Sequence, residues 1–157
     1  MTHNKKIISG LAIVLVIAQF FQPTKNQGNL DTVDQFLVDT QAPQAVKHLL
    51  EQACFDCHSS HTNYPWYNSI TPVNYWLNGH VKEGKKHFNA SKWASYSQQK
   101  KDHKLEELIE EIEKSAMPLA SYTWTHAEAQ LSPTQIQTLV DWATRARMTY
   151  NRTTEIN

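Results

Sequence analysis

Cys54-Phe55-Asp56-Cys57-His58 is the stretch on which the architecture of this 157-residue chain depends. Its two cysteines are the only ones in the sequence, and a histidine follows the second directly. C-x-x-C-H is the attachment signal for c-type haem, in which each thiol adds to a haem vinyl group and the adjacent imidazole binds the iron. The motif therefore predicts one covalent haem c on Cys54 and Cys57, with His58 as the proximal iron ligand.

Two other kinds of site also use paired cysteines. A thioredoxin-like redox pair lies near a βαβ pattern, and the sequence around the motif shows no such pattern. A structural zinc site needs four ligands and typically a second paired cluster, whereas the other histidines of this chain are scattered singly. Both interpretations stay open, although a redox pair would leave the abutting histidine unexplained.

The motif lies at the C-terminal end of a series of apolar residues that are spaced as on one face of a helix. Apolar side chains recur at spacings of three and four at Val46, Leu49, Leu50, Ala53, Cys54 and Cys57. This period predicts one helix from Ala42 or Pro43 to Cys57. Both thiols would then lie on the face that is turned toward the core, which a surface redox motif would not require.

The N-terminus has the layout of an export signal, because Lys5 and Lys6 precede the uncharged and mostly apolar residues 7–21. Fifteen helical residues extend about 22 Å, less than the roughly 30 Å hydrocarbon core, which favours a signal peptide. The absence of a small-x-small cleavage site after Ala18 favours an uncleaved membrane anchor. We expect residues 1–22 to be one of these, with the remainder in the periplasm or on the periplasmic face of the bacterial inner membrane.

Composition and turn residues suggest how the rest of the chain is divided. Fifteen Lys and Arg balance fifteen Asp and Glu, so no basic surface for nucleic acid is expected. The periodic segments are all helical, which predicts a mainly α fold: a small cytochrome c-like domain wrapped around one haem and preceded by the signal or anchor helix. The predicted parts after residue 22 are a polar tether at 23–40, the haem domain at 41–150 and a polar tail at 151–157.

Downstream of the motif three helices are predicted, and capping residues mark the boundaries of the first and the third. Gly84 is interpreted as the residue just past a helix that starts at Thr71-Pro72. Ser132 and Gln135 form a capping box at the start of the last helix. The run of glutamates at 106–113 is interpreted as a solvated face. The predicted helices are at about 72–83, 102–115 and 133–147. Residues 85–101 are predicted to be a polar loop that can include a short helical turn and that covers one edge of the domain.

Met117 is the predicted sixth ligand of the iron. Pro118 disfavours helical geometry at Met117, so this residue should lie in an extended loop that can reach the iron. A methionine opposite the histidine raises the reduction potential, as suits an electron carrier. The alternative for Met117 is a core filler. His80, which shares the apolar face of its helix, is the alternative distal ligand.

The order of these features resembles small single-haem cytochromes c, and more closely the bacterial haem-binding-domain family of exported cytochrome-like proteins. The matching pieces are Cys54-Phe55-Asp56-Cys57-His58-Ser59, Tyr64-Pro65-Trp66-Tyr67, His80-Val81-Lys82-Glu83-Gly84, Met117-Pro118-Leu119 and Leu131-Ser132-Pro133. The resemblance implies covalent haem on Cys54 and Cys57, and iron on His58 and Met117. Trp66 and Trp76 are candidate haem-pocket residues, or else ordinary core.

The predicted function is therefore single-electron transfer between redox partner proteins, by an electron carrier and not an enzyme. A first alternative is a haem-based sensor in which Met117 is displaced by a small ligand. A second is a haem peroxidase with an open sixth position, although the second haem motif of dihaem peroxidases is absent. The histidines that could serve a peroxidase as distal base are His61, His80, His87 and His126.

Overall fold

The computed structural model describes residues 2–154. Met1 and residues 155–157, which belong to the predicted leader and tail, lie outside the described residues. The described chain is mostly helical and its only β-pairing is an isolated antiparallel bridge between Gln27 and His61, so the predicted mainly α class is confirmed. The α-helices are α1 (Thr2–Ala18), α2 (Asp34–Asp39), α3 (Gln44–Ala53), α4 (Phe55–His58), α5 (Val73–His87), α6 (Gln98–Glu113), α7 (Ala120–Thr123) and α8 (Pro133–Thr154). Short 3-10 helices lie at Leu30–Val33, Trp66–Ser69, Ala90–Ser95 and Ala127–Ala129.

Phe36 of α2 is the centre of the core. Its side chain is completely buried. Four rings pack edge-on around it, with centroids between 4.9 and 6.3 Å away, in the arrangement that aromatic quadrupoles favour: Phe55, Phe88, Trp93 and Trp142. The segment 23–40, predicted as a tether, thus contributes Phe36 to the core that holds the motif.

The helix that leads into the motif is interrupted at Cys54. Val46, Leu49 and Leu50 are buried, as their period predicts. However, α3 ends at Ala53, and Cys54 has φ −128° and ψ −47°, outside the α-helical range. The prediction of one continuous helix to Cys57 is therefore wrong, since the turn at Cys54 redirects the chain so that α4 packs against α5.

Gly84 lies inside α5 and does not end it. A Cβ at this position would lie 2.8 Å from the carbonyl oxygen of Cys57 and 3.0 Å from its Cβ. The predicted helix end near Glu83 is consequently wrong by a full turn, because the glycine permits the close approach of α4 and α5 and is no terminator.

The segment 85–101, predicted as a polar loop, also contributes to the core. Trp93 is fully buried within the 3-10 helix Ala90–Ser95. Helix α6 then starts four residues earlier than predicted, with Ser97 Oγ accepting a hydrogen bond from the Lys100 backbone N–H at 3.3 Å. The 3-10 helix is the short helical turn that the loop prediction allowed, but the prediction placed the segment at an edge of the domain, whereas Trp93 lies in the core.

Helix α8 begins where its capping box predicts. The Ser132 N–H donates to Gln135 Oε1 at 2.8 Å, and the Gln135 N–H donates to Ser132 Oγ at 3.3 Å. The helix continues beyond Arg147 to Thr154, and Tyr150 is buried in the core. The last helix is thus longer than the sequence pattern indicated, because Tyr150 anchors its C-terminal half.

Helix α1 exposes its apolar side chains to solvent along its length. Within residues 2–154, no helix combines the length and the hydropathy that a membrane span requires.

Candidate functional site

The two thiols of the motif are partly buried and carry no disulfide. Burial raises the pKa of Cys54 to about 12, with a further contribution from the neighbouring Cys57. Burial likewise raises the pKa of Cys57 to about 11, with Asp56 adding to the effect. Both thiols are therefore protonated at neutral pH. A thioredoxin-like pair needs a lowered thiol pKa, so the structure argues against that alternative.

His58 is held in one orientation by the end of α5. Its Nδ1 donates to the carbonyl oxygen of Phe88 at 3.1 Å, and the two rings lie 5.8 Å apart. Burial lowers the pKa of His58, which favours the neutral imidazole. With the proton on Nδ1, the lone pair resides on Nε2, and this nitrogen is the one left to bind a metal.

A cleft opens beside the motif, between α4, α5 and the 119–126 segment. It encloses about 510 Å³ of space including its mouth, and its walls are mainly apolar. Cys57, Trp76, His80, Leu119 and Tyr122 are among the residues that line it. The structure thus brings one predicted attachment cysteine, one predicted pocket tryptophan and the alternative distal ligand to the same cavity.

His80 projects a nitrogen that no protein group satisfies. Its Nε2 is buried and has no hydrogen-bond partner within the described chain. The Trp76 ring stands perpendicular to the imidazole, with 4.5 Å between centroids. A buried nitrogen left unpaired costs about 1 to 3 kcal/mol, so this position is suited to a bound group that the protein alone does not supply.

Asp56, inside the motif, ties the two walls of the cleft together. Its Oδ2 accepts a hydrogen bond from the Tyr122 hydroxyl at 2.8 Å, and its Oδ1 accepts from the Asn63 N–H at 3.0 Å. The Tyr122 ring stacks on His126, with centroids 4.1 Å apart and planes 12° apart. We call these four residues the Asp56 clasp. The clasp holds the 119–126 segment over Cys57.

Neither Met117 nor Trp66 is among the residues that line the cleft. Met117 follows α6, is partly buried, and donates its N–H to the carbonyl oxygen of Glu111 at 3.1 Å. Leu119, two residues later, is the part of this loop that lines the cleft. Trp66 is 78% exposed. Among the predicted pocket and distal residues, the cleft therefore includes Trp76 and His80 but neither Met117 nor Trp66.

The remaining candidate bases occupy different surroundings. His61 Nδ1 donates to the carbonyl oxygen of Gly28 at 3.0 Å, and His87 is largely exposed beside Glu83. His126 lines the cleft, as His80 does. Among the side chains that the structure describes, no three of His, Cys, Asp or Glu are grouped as a metal-ion site.

Asp56, Tyr122 and Gly84 are site residues that the sequence interpretation missed. Asp56 lies between the two cysteines, where its carboxylate could have been recognised as a hydrogen-bond acceptor for neighbouring segments. Gly84 is predicted to end a helix but lies inside α5, against Cys57. Tyr122 had no local signal, because its partner Asp56 lies 66 residues earlier in the chain.

The donor set of the motif, two thiols and an imidazole, fits a haem, although only Cys57 of the three lines the cleft and Cys54 and His58 do not. His58 offers an oriented and neutral imidazole, Cys57 lies on an apolar cleft, and the buried Nε2 of His80 lacks a partner in the described protein. Searches of curated proteins and of solved structures found no significant match. The sequence model of the family described as "Haem-binding domain" matches residues 13–145, most of the chain. This protein belongs to the haem-binding-domain family.

Proposed function

We propose that this protein is an exported monohaem c-type cytochrome that transfers single electrons. The observation that supports the proposal best is the placement of His58. Its Nδ1 is bound to the Phe88 carbonyl while the two cysteines of its motif are protonated, uncrosslinked and partly buried. A haem c bound there supplies an iron that cycles between the ferrous and ferric states.

In this proposal each residue of the motif has a separate task. Cys54 and Cys57 each form one thioether. His58 presents Nε2 to the iron, and the Phe88 carbonyl fixes its ring and increases its basicity. The apolar cleft walls beside Cys57 would limit water around a bound haem, which favours the ferrous state.

The sixth position is proposed for Met117, with His80 as the alternative. Met117 follows α6 on a loop that continues into the cleft wall at Leu119. His80 already lies on the cleft. The two are distinguished by the absorption spectrum of the ferric protein. If Met117 is the ligand, Met117→Ala removes the weak far-red band of sulfur ligation and lowers the potential, while His80→Ala leaves that band in place. The opposite pattern assigns the position to His80.

The export part of the proposal depends on residues 1–22 as a signal peptide or an anchor, with redox partner proteins in the periplasm or at the inner membrane. Lys5 and Lys6 before the apolar stretch support this location.

The decisive experiment is production of the full chain together with the c-type maturation machinery, followed by spectra in both oxidation states and haem staining after denaturing electrophoresis. We expect covalent haem with sharp reduced bands of a low-spin iron. The matched controls are Cys54→Ser, which should retain at most one thioether, and Cys54→Ser/Cys57→Ser, which should retain none. Covalent haem in the double variant contradicts the attachment sites. A high-spin iron contradicts electron transfer and supports the ligand-binding alternative.

A further inference from the structure

Three long stretches of the chain carry no Asp, Glu, Lys or Arg. They are 7–24, 59–81 and 115–127, in a sequence that is 19% charged. Such stretches are far apart along the chain, so local sequence does not explain why all three should lack charge.

The fold brings these stretches onto one surface. Gln19 Oε1 accepts from the Thr71 N–H at 2.9 Å, and Gln19 Nε2 donates to the Thr71 carbonyl at 3.2 Å. The hydroxyls of Tyr67 and Thr125 are hydrogen-bonded at 2.8 Å, which joins the second stretch to the third. The Tyr75 hydroxyl donates to the carbonyl oxygen of Phe21 at 3.3 Å, close to the end of α1. The charge-free surface is therefore continuous from α1 to the cleft.

This surface also holds the exposed aromatic side chains of the described chain. We call them the aromatic rim: Phe20, Phe21, Trp66, Tyr75, Trp76 and Trp124. Phe20 and Trp124 are each 83% exposed. Outside α1 and the rim, the exposed large apolar side chains are Val38, Ile70 and Met148 among those whose exposure the structure describes. Ile70 lies in the same charge-free stretch as Trp66. Exposure of aromatic rings is thus confined to one face.

A lipid bilayer is the partner that this face fits. The rim continues directly into α1, whose apolar side chains are exposed and which ends at Ala18, next to Phe20 and Phe21. Trp and Tyr concentrate at the headgroup level of membranes, because their rings are apolar while their N–H and O–H groups stay hydrated. The absence of charge removes the desolvation cost that would oppose such contact.

We propose that the domain lies on the membrane with its aromatic rim in the headgroup layer. Trp76 belongs both to the rim and to the cleft wall, so the mouth of the cleft is turned toward the bilayer. An electron partner that reaches the cleft through this mouth must itself be at the membrane. The inference rests on the proposed export and on an α1 that stays attached to the domain.

The test places a spin label on the full-length holoprotein in phosphatidylcholine vesicles. The native cysteines are held in thioethers, so an introduced cysteine is the reactive thiol. Labels at Trp66→Cys and Trp124→Cys report on the rim, and labels at the exposed positions Val38→Cys and Met148→Cys serve as matched controls. Collision rates with oxygen, which concentrates in lipid, are compared with those of a water-soluble nickel chelate.

We expect the rim labels to collide mainly with oxygen and the control labels mainly with nickel. Rim labels as accessible to nickel as the controls, on vesicle-bound protein, overturn the proposed orientation. Protein that stays in solution overturns it as well. The haem proposal is judged separately, since the absorption spectrum of the same samples reports it whether or not the protein binds vesicles.

Discussion

Gly84 of α5 lies directly against Cys57 of the haem-attachment motif. A Cβ on Gly84 would be 2.8 Å from the Cys57 carbonyl oxygen, a backbone atom that cannot turn aside. Gly84→Ala should therefore force α4 and α5 apart. Overpacking of this kind costs about 1 to 3 kcal/mol, which outweighs the gain of about 1 kcal/mol for replacing a helical glycine by alanine. Urea unfolding of the apoprotein measures the net loss, and a lower yield of covalent haem should accompany it.

Gly79→Ala is the matched control, because it makes the same change in the same helix. A Cβ on Gly79 meets nothing within 4 Å. This variant should be more stable than the natural chain by about 0.5 to 1 kcal/mol. Equal effects of the two substitutions would show that the contact with Cys57 is unimportant.

The two thiols should react slowly in the folded apoprotein. Cys54 has a pKa of about 12 and Cys57 of about 11, against an ordinary value near 9. The thiolate fraction at pH 8 is then lower by about a thousandfold for Cys54 and about a hundredfold for Cys57. Alkylation by iodoacetamide, monitored by mass spectrometry, should be correspondingly slow for the folded protein in buffer. In urea, it should proceed at the rate of an unburied cysteine. Similar rates in the two solvents would contradict the burial of the thiols.

The same thiols should make the stability of the apoprotein fall at alkaline pH. In the unfolded chain the thiols lose their protons from about pH 9, whereas in the folded chain Cys57 and Cys54 hold them to about pH 11 and 12. Between these values the folded state binds more protons, so stability falls as pH rises. The urea midpoint should be constant up to about pH 8 and then decline. Cys54→Ser/Cys57→Ser should lose the part of the decline that begins near pH 9, whereas burial also raises the pKa of Tyr122 and Tyr150, so a decline above about pH 10 should remain.

The clasp between Tyr122 and Asp56 should stabilise the wall of the cleft. Tyr122→Phe removes one hydrogen bond to a carboxylate, which is worth about 1.5 to 3 kcal/mol. Tyr75→Phe is the control, since the hydroxyl of the exposed Tyr75 donates only to the Phe21 carbonyl oxygen at 3.3 Å, and it should change stability by less than about 0.5 kcal/mol. Hydrogen exchange should show faster opening of the 119–126 segment in Tyr122→Phe alone. Unchanged exchange there would mean that the clasp does not hold the segment.

Lys101 and Asp39 form an ion pair whose two members are unequally buried. The Lys101 and Asp39 side chains are 10% and 25% exposed, with 2.9 Å between Nζ and Oδ2, and Trp93 and Tyr150 present their rings to the ammonium. Asp39→Asn leaves the buried ammonium without its partner and should cost about 3 kcal/mol, the low end for a buried pair. Lys101→Met leaves the Asp39 carboxylate without its partner. This variant should lose less stability, because the carboxylate is more exposed to water. Urea midpoints of the two variants give the order, and the reverse order would contradict this explanation.

Residue patterns alone predict the features whose partners lie within a turn or two of helix. The C-x-x-C-H motif, the buried stripe at Val46, Leu49 and Leu50, and the Ser132–Gln135 capping box all follow from residues three or four positions apart. Family membership was likewise visible from motifs in their order along the chain. The assignment of Met117 to the iron stays a prediction.

How these local elements meet depends on long-range packing. The turn at Cys54, the packing role of Gly84 and the bond between Asp56 and Tyr122 depend on contacts between distant segments. Helical period cannot reveal them, because it reports which side of an element is apolar and not which element will cover it. Phe36 and Trp93 were missed for the same reason: a single aromatic residue in a polar stretch has no period, and its burial is decided by the neighbours that fold around it.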